Sequence, residues 1–397
     1  MTTPTETPGE SPCQPLAASA RRMPAKRYDA LLLTSFGGPE GQEDVIPFLR
    51  NVTAGRGIPD ERLEEVAHHY RAFDGISPIN QQNRDLKEAL EAEIARRGLD
   101  LPVYWGNRNW DPYLSDALRE AHANGHTTLL ALVTSAFSSY SGCRQYREDL
   151  AKALADTGLT DQMDVDKIRQ YFDHPGFVRP NVEAVRAGLH RLAAEGNGET
   201  PHVMFATHSI PTVAADASGP RECQPDATPV PTGNDGGWYA AQQRAVAAHI
   251  MEEVAHEFPD VPWSLVYQSR SGSPQVPWLE PDINDAIKEL PDSVTGLVIS
   301  PIGFVSDHME VKWDLDTEAL ETCDERGLPA VRVPTVGIDP VFVAGLVDLI
   351  EERHTTSAQH EDMVSRESVT DYGPWQDACP ADCCLGRELR PVVAQEP

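Results

Sequence analysis

The sequence predicts an α/β protein made of two doubly wound parallel-sheet domains with a cleft between them. Three observations lead there. Short apolar runs alternate with amphipathic helical stretches, the pattern of parallel strands joined by crossover helices. The chain has 397 residues, too many for one ordinary hydrophobic core. Each apolar run is followed by Gly, Ser, Asn, His or Pro, the residue types found where ligands sit beyond the carboxyl ends of parallel strands.

Residues 1–26 are rich in Pro, Thr, Ser and Ala and are expected to lack fixed structure. Ala30–Leu33 is the first apolar run, closed by the turn residues Ser35-Phe36-Gly37-Gly38-Pro39 and followed by a helix near Glu43–Arg50. Further strands are predicted at Val103–Trp105, Thr128–Val133, His202–Ala206, Ser264–Tyr267, Gly296–Ile299 and Val331–Val333. Helices are predicted at Asn83–Arg97, Tyr113–Ala123, Arg144–Asp156, Asn181–Ala194, Trp238–His256 and Thr317–Arg326. This order gives domains at 27–175 and 176–350, then a connector and Cys-rich tail over 351–397. Ala214–Gly237, dense in Pro, Gly and Asp, reads as a long surface loop.

Composition excludes several function classes. With 33 basic and 62 acidic side chains the formal charge is −29, so no basic track exists for nucleic acid. No apolar run approaches the roughly 18 residues that a membrane span needs. Residues 1–27 lack the apolar core of a secretory signal, so a cytosolic protein is expected. Seven cysteines in a large cytosolic chain are not a disulfide framework.

The chemistry concentrates after the strands. His208 ends an apolar run beside Pro211, and an imidazole there can take a proton or ligate a metal near neutral pH. The bland alternative is a histidine that only ties down its loop. Asp307–Glu318 should open a helix, on which Glu310, Asp314 and Glu318 stand at i, i+4, i+8 and share a face. Like charges at that spacing cost roughly 0.2–0.5 kcal/mol per pair. A divalent cation would remove this penalty; an ordinary acidic face, eased by Lys312, is the other reading. Cys379, Cys383 and Cys384 put three thiols in one short tail, and Cys143, in a strand-end loop, is the best fourth ligand for a zinc ion or a [2Fe–2S] cluster. Cys323 reads as a small buried hydrophobe, and Cys13 and Cys223 as loop residues.

The segments YDALLLTSFGGP (28–39), DGISP (74–78), YWGNRNWDP (104–112), FATHSIP (205–211), VYQSRSG (266–272) and SPIGFVSDHME (300–310) together resemble ferrochelatases, in order, from about residue 28 to 345. The tail, with Ser139-Tyr140-Ser141-Gly142-Cys143, is similar to the cluster-bearing actinobacterial branch, whose members are coproporphyrin III ferrochelatases. The resemblance implies two Rossmann-like domains of the chelatase fold, a porphyrin in the cleft and Fe2+ as the other substrate. It further implies that His208 and Glu310 handle metal and protons from opposite faces of the ring, with Asp314 and Glu318 extending the metal path. Ser77, Tyr146 and Phe36 would contact porphyrin, and Cys143, Cys379, Cys383 and Cys384 would hold a [2Fe–2S] cluster of structural or regulatory role. Phe36 replaces a tyrosine found in some members, which puts axial ligation from that side in doubt. The tail spacing departs from that of animal members and leaves Cys323 or Cys223 as alternative ligands. Transient contact with other heme-pathway enzymes would accompany such a role. A protoporphyrin IX ferrochelatase and a non-catalytic tetrapyrrole or iron carrier are the rival readings.

Overall fold

The structure, a computed structural model, describes residues 22–55, 57–220, 236–271, 275–355, 364–386 and 388–395. Cys13 and Cys223, with most of the expected N-terminal tail, the 214–237 loop and the connector, lie outside the described residues.

The first half of the chain runs β1 (Ala30–Ser35), α1 (Val45–Val52), α2 (Asp60–Arg71), α3 (Ile79–Arg96), β2 (Val103–Asn107), α4 (Leu114–Ala123), β3 (Thr128–Val133), α5 (Gln145–Thr157) and β4 (Asp164–Lys167). Helix α6 (Pro175–Ala194) then leads to β5 (Pro201–His208), α7 (Thr212–Asp216), α8 (Gly237–Val254), β6 (Trp263–Gln268), α9 (Ile283–Glu289) and β7 (Gly296–Ser300). A π-helix over Val311–Ala319 continues into α10 (Leu320–Glu325), followed by β8 (Ala330–Arg332) and α11 (Pro340–Glu351).

The strands form two four-stranded sheets, ordered β2-β1-β3-β4 and β6-β5-β7-β8, and every pairing is parallel. The α/β, doubly wound expectation is therefore met. Both sheets follow one rule: the first strand pairs with the second on one side and the third on the other. The order reverses between β1 and β3, and again between β5 and β7. Those reversals open crevices beyond the strand ends, because the two connections leave in opposite directions. Strands such as β1 and β3 are continuous apolar runs because helices cover both faces of each sheet.

The main core is continuous across both sheets: Leu31 and Leu33 of β1 and Val203 and Phe205 of β5 belong to one buried cluster, with α6 and α11 between them. Helices α6 and α11 cross at Gly176 and Gly345, where a Cβ on Gly345 would lie 2.7 Å from the Gly176 Cα. No side chain fits there without separating the helices. Gly345→Val is therefore expected to cost about 3 kcal/mol. It would appear as a lower denaturant midpoint at unchanged slope; an unchanged midpoint would show that the crossing can open freely.

Candidate active site

The second sheet's crevice holds His208 and Glu310. His208 is the last residue of β5, and Glu310 caps the π-helix that follows β7, so these two side chains flank the β5/β7 reversal. His208 Nε2 lies 3.5 Å from Glu310 Oε2, a direct contact that leaves no room for a ring between them, so the pair meets a porphyrin from one side and not, as expected from the resemblance, from opposite faces. The imidazole Nδ1 contacts the Ser209 carbonyl oxygen, which turns Nε2 toward the carboxylate. Tyr239, on α8, donates to the His208 carbonyl at 2.8 Å and fixes the strand end from behind. His308 accepts from the Glu310 amide at Nδ1 (3.2 Å), with Nδ1 3.9 Å from Glu310 Oε2. Both members of the His208–Glu310 pair keep solvent contact, with 30% and 47% of their side chains accessible, as in an open cleft.

Each partner's charge decides the ionisation of the other. Burial disfavours the imidazolium, but the facing Glu310 carboxylate outweighs it and lifts His208 to about 9. Burial likewise opposes ionisation of Glu310, while the His208 charge brings that carboxyl down to about 2. At neutral pH the pair is thus an imidazolium facing a carboxylate. Burial and the Glu310 charge push Asp314 up to about 7, against a hydrogen bond from Ser269. Burial lowers His308, which stays neutral.

The acidic face expected from the sequence is present on the expected segment, on a helix of a different type. Val311–Ala319 is a π-helix rather than an α-helix. Its i→i+5 bonding gives about 4.4 residues per turn, so residues four apart still fall near one line. Glu310, Asp314 and Glu318 therefore continue outward as a ladder. Gln268, at the end of β6, donates to Asp314 Oδ2 at 3.3 Å and to the Glu310 carbonyl at 3.1 Å, tying sheet to ladder. At the outer end Trp313 Nε1 donates to Glu318 at 2.9 Å, and His69 of α2 stacks on the Trp313 ring at 4.2 Å. Sequence reasoning missed Ser269, His308, Trp313 and His69. The first two sit inside the segments VYQSRSG and SPIGFVSDHME and could have been found there; the His69 stack joins residues remote in sequence and left no signal.

The remaining predicted contacts lie at the first sheet's crevice. Phe36, after β1, is 38% exposed and packs edge-on against Phe48. Ser77 and Tyr146 are both 4% exposed. The Arg108 guanidinium lies 4.6 Å from the Tyr146 ring centroid and 5.7 Å from that of Phe36, held by Asp149 at 2.6 Å. Arg108 is thus a basic group at this crevice that the sequence reading did not single out.

Cys143, Cys379, Cys383 and Cys384 come together away from the His208–Glu310 pair, and Cys323 packs instead against β7 and the π-helix. Cys383 Sγ and Cys384 Sγ are 3.7 Å apart. Two thiolates on one tetrahedral metal with bonds of about 2.3 Å stand about 3.8 Å apart. Cys383 Sγ donates to Cys384 Sγ, and the neighbouring Cys143 and Cys383 thiols hold Cys379 well below the ordinary thiol range while they themselves are raised. Among the described residues no three His, Cys, Asp or Glu side chains stand as a ready-made metal site; the thiols meet through pairwise contacts.

Two parallel-sheet halves with ionisable groups beyond the strand ends define an α/β protein that can hold a ligand there. The chain belongs to the ferrochelatase family, enzymes that insert metal into porphyrin; the profile of that family, "Ferrochelatase", matches residues 28–354. It is 58% identical over 376 residues to the coproporphyrin III ferrochelatase of Leifsonia xyli subsp. xyli, covering 92% of this chain and 94% of that one. It is 52% identical to the coproporphyrin III ferrochelatase of Streptomyces coelicolor (94% and 97%) and 46% identical to the ferrochelatase of Rhodopirellula baltica (92% and 96%). Among solved structures, SirB from Bacillus subtilis with Fe3+ overlays at a TM-score of 0.46 and 11% identity, covering 86% of this chain and 100% of that one. No helix among the described residues is long and apolar enough to cross a membrane.

Proposed function

We propose that this enzyme inserts Fe2+ into coproporphyrin III, with His208 and Glu310 as the reacting pair. The observation that carries the reading is their 3.5 Å opposition at the β5/β7 reversal, backed by an acidic ladder. Metallation releases two pyrrole protons as one Fe2+ enters. His208 begins protonated because Glu310 holds its charge. Fe2+ approaching along Glu318, Asp314 and Glu310 neutralises that carboxylate and removes what keeps the imidazolium protonated. His208 then releases its proton by way of Asp314 and accepts the two pyrrole protons one after the other, each leaving by the same route. Asp314, poised at about 7, can pass protons outward along the same line. A carrier without turnover has no need of such a pair.

Domains at 27–175 and 176–350 would flank the ring, with Phe36 at its edge. Ser77 and Tyr146 would reach porphyrin carboxylates only if the groups above them shift, and Arg108 would offer the charge. The substrate assignment is supported by the names of relatives at 50–58% identity. The thiols of Cys143, Cys379, Cys383 and Cys384 would hold a [2Fe–2S] cluster, supported by their convergence and the 3.7 Å sulfur pair. Such a cluster would pin the tail to α5; metallation itself transfers no electron.

An anaerobic optical assay of Fe2+ insertion, with coproporphyrin III and protoporphyrin IX in parallel, tests the reading. Preferred metallation of coproporphyrin III is expected. Preference for protoporphyrin IX would reject the substrate, and binding without metallation would reject the enzyme.

A further inference from the structure

Two buried cations stand by the thiol nest without a carboxylate partner among the described residues. Arg147 of α5 is 1% exposed and Lys167, at the end of β4, is 4% exposed. Arg147 Nε and Nη2 donate to the Val393 and Ala394 carbonyls at 2.9 and 3.1 Å, while Nη1 is buried with no hydrogen-bond partner. Lys167 Nζ reaches the Ile168 carbonyl and the Gln170 amide oxygen, both uncharged. Arg144, one turn away, differs: Glu148 neutralises it at 2.8 Å. The segment that Arg147 grips continues to Gln395, which bridges to Cys379. The charges of Arg147 and Lys167 both act on Cys379, and that of Lys167 also acts on Cys143.

A buried, unpaired cation is costly, and a native fold retains one only beside compensating negative charge. Of the carboxylates nearby, Glu148 is taken by Arg144 and Asp377 by Arg366, and Asp382 is exposed, so the buried thiolates are what remains. Two neutral donors point the same way: the Gly219 amide donates to Cys384 Sγ at 3.0 Å, and Gln376 Nε2 to Cys379 Sγ at 3.5 Å. We infer that Arg147 and Lys167 are the counter-charges of the thiolate site, and that Arg147 Nη1 is a donor reserved for sulfur there. The inference rests on the cluster reading above. Positive charge and N–H donors around sulfur stabilise the more negative, one-electron-reduced form and raise the reduction potential.

The test uses the full chain, purified without oxygen and titrated with dithionite while its visible and electron paramagnetic resonance spectra are followed. Arg147→Met is expected to lower the reduced-to-oxidised ratio at a fixed potential about tenfold, a shift of about 59 mV for one electron. Lys167→Met should shift it in the same direction, and Arg147→Lys should restore most of the loss. If Arg147→Met does not fold, Lys167→Met decides. Intact cluster spectra with unmoved potentials in the Met variants would overturn the inference and leave the cluster reading standing. A wild-type chain that shows no cluster spectrum would overturn both.

Discussion

His208→Ala is expected to reduce metallation by 10²- to 10⁴-fold, the range for a lost proton acceptor, while porphyrin binding stays within about threefold of wild type. The imidazole is what the substitution removes; the backbone that shapes the crevice stays, because the His208 carbonyl accepts from Tyr239 and the Ser209 amide donates to the Gln268 carbonyl independently of the side chain. Glu310 then loses its cationic partner, and a metal arriving at the ladder meets a carboxylate whose remaining imidazole neighbour, His308, has its Nδ1 turned to the Glu310 amide. The measurement is single-turnover insertion together with quenching of the protein's fluorescence by porphyrin in the absence of metal. Activity within tenfold of wild type would remove His208 from the proton path. Loss of binding together with activity would instead make it a wall of the crevice.

The sequence made the architecture legible because buried parallel strands are nearly unbroken apolar runs, and seven of the eight were recognised that way. The eighth, β4, reads Asp-Val-Asp-Lys and carries no such signal. It is a strand because its polar side chains find partners inside: Tyr28 donates to Asp166 at 2.8 Å and Arg353 approaches it at 3.1 Å. Those partners come from both ends of the chain, so no local pattern reveals them. Helix α6 was placed from Asn181, after Pro180, but begins at Pro175 and carries that proline through its second turn. Helix α2 was missed because only a narrow stripe, Leu63 and Ala67, faces the core. At the site, His208 and Glu310 were visible as residues that close a strand and open a helix. Their separation was not, since it depends on how the loop after β7 returns over β5. The π-helix escaped for a related reason: spacing of four is compatible with both helix types, and only tertiary packing selects between them.

The pH dependence of metal binding follows from the same pair. His208 is protonated below about 9 because of the Glu310 charge, so Fe2+ that neutralises Glu310 displaces that proton, and binding strengthens as pH rises toward that value. The affinity of the porphyrin-free enzyme for Fe2+ is expected to increase about tenfold per pH unit between pH 7 and 9, then level off. Below about 7 the carboxyl of Asp314 is also protonated, and a second proton must leave. Anaerobic calorimetric titrations in buffers of different ionisation enthalpy count these protons: about one at pH 8 and about two at pH 6. Glu310→Gln separates the causes. It removes the charge that raises His208, so the imidazole returns toward its ordinary 6.5 and the pH-dependent rise should end well below pH 9. Proton release at pH 8 should then nearly vanish, even though the weakened site binds less iron. Unchanged release in Glu310→Gln would mean that the displaced proton belongs to another group, and the His208–Glu310 pair would not be the point where iron and protons are exchanged.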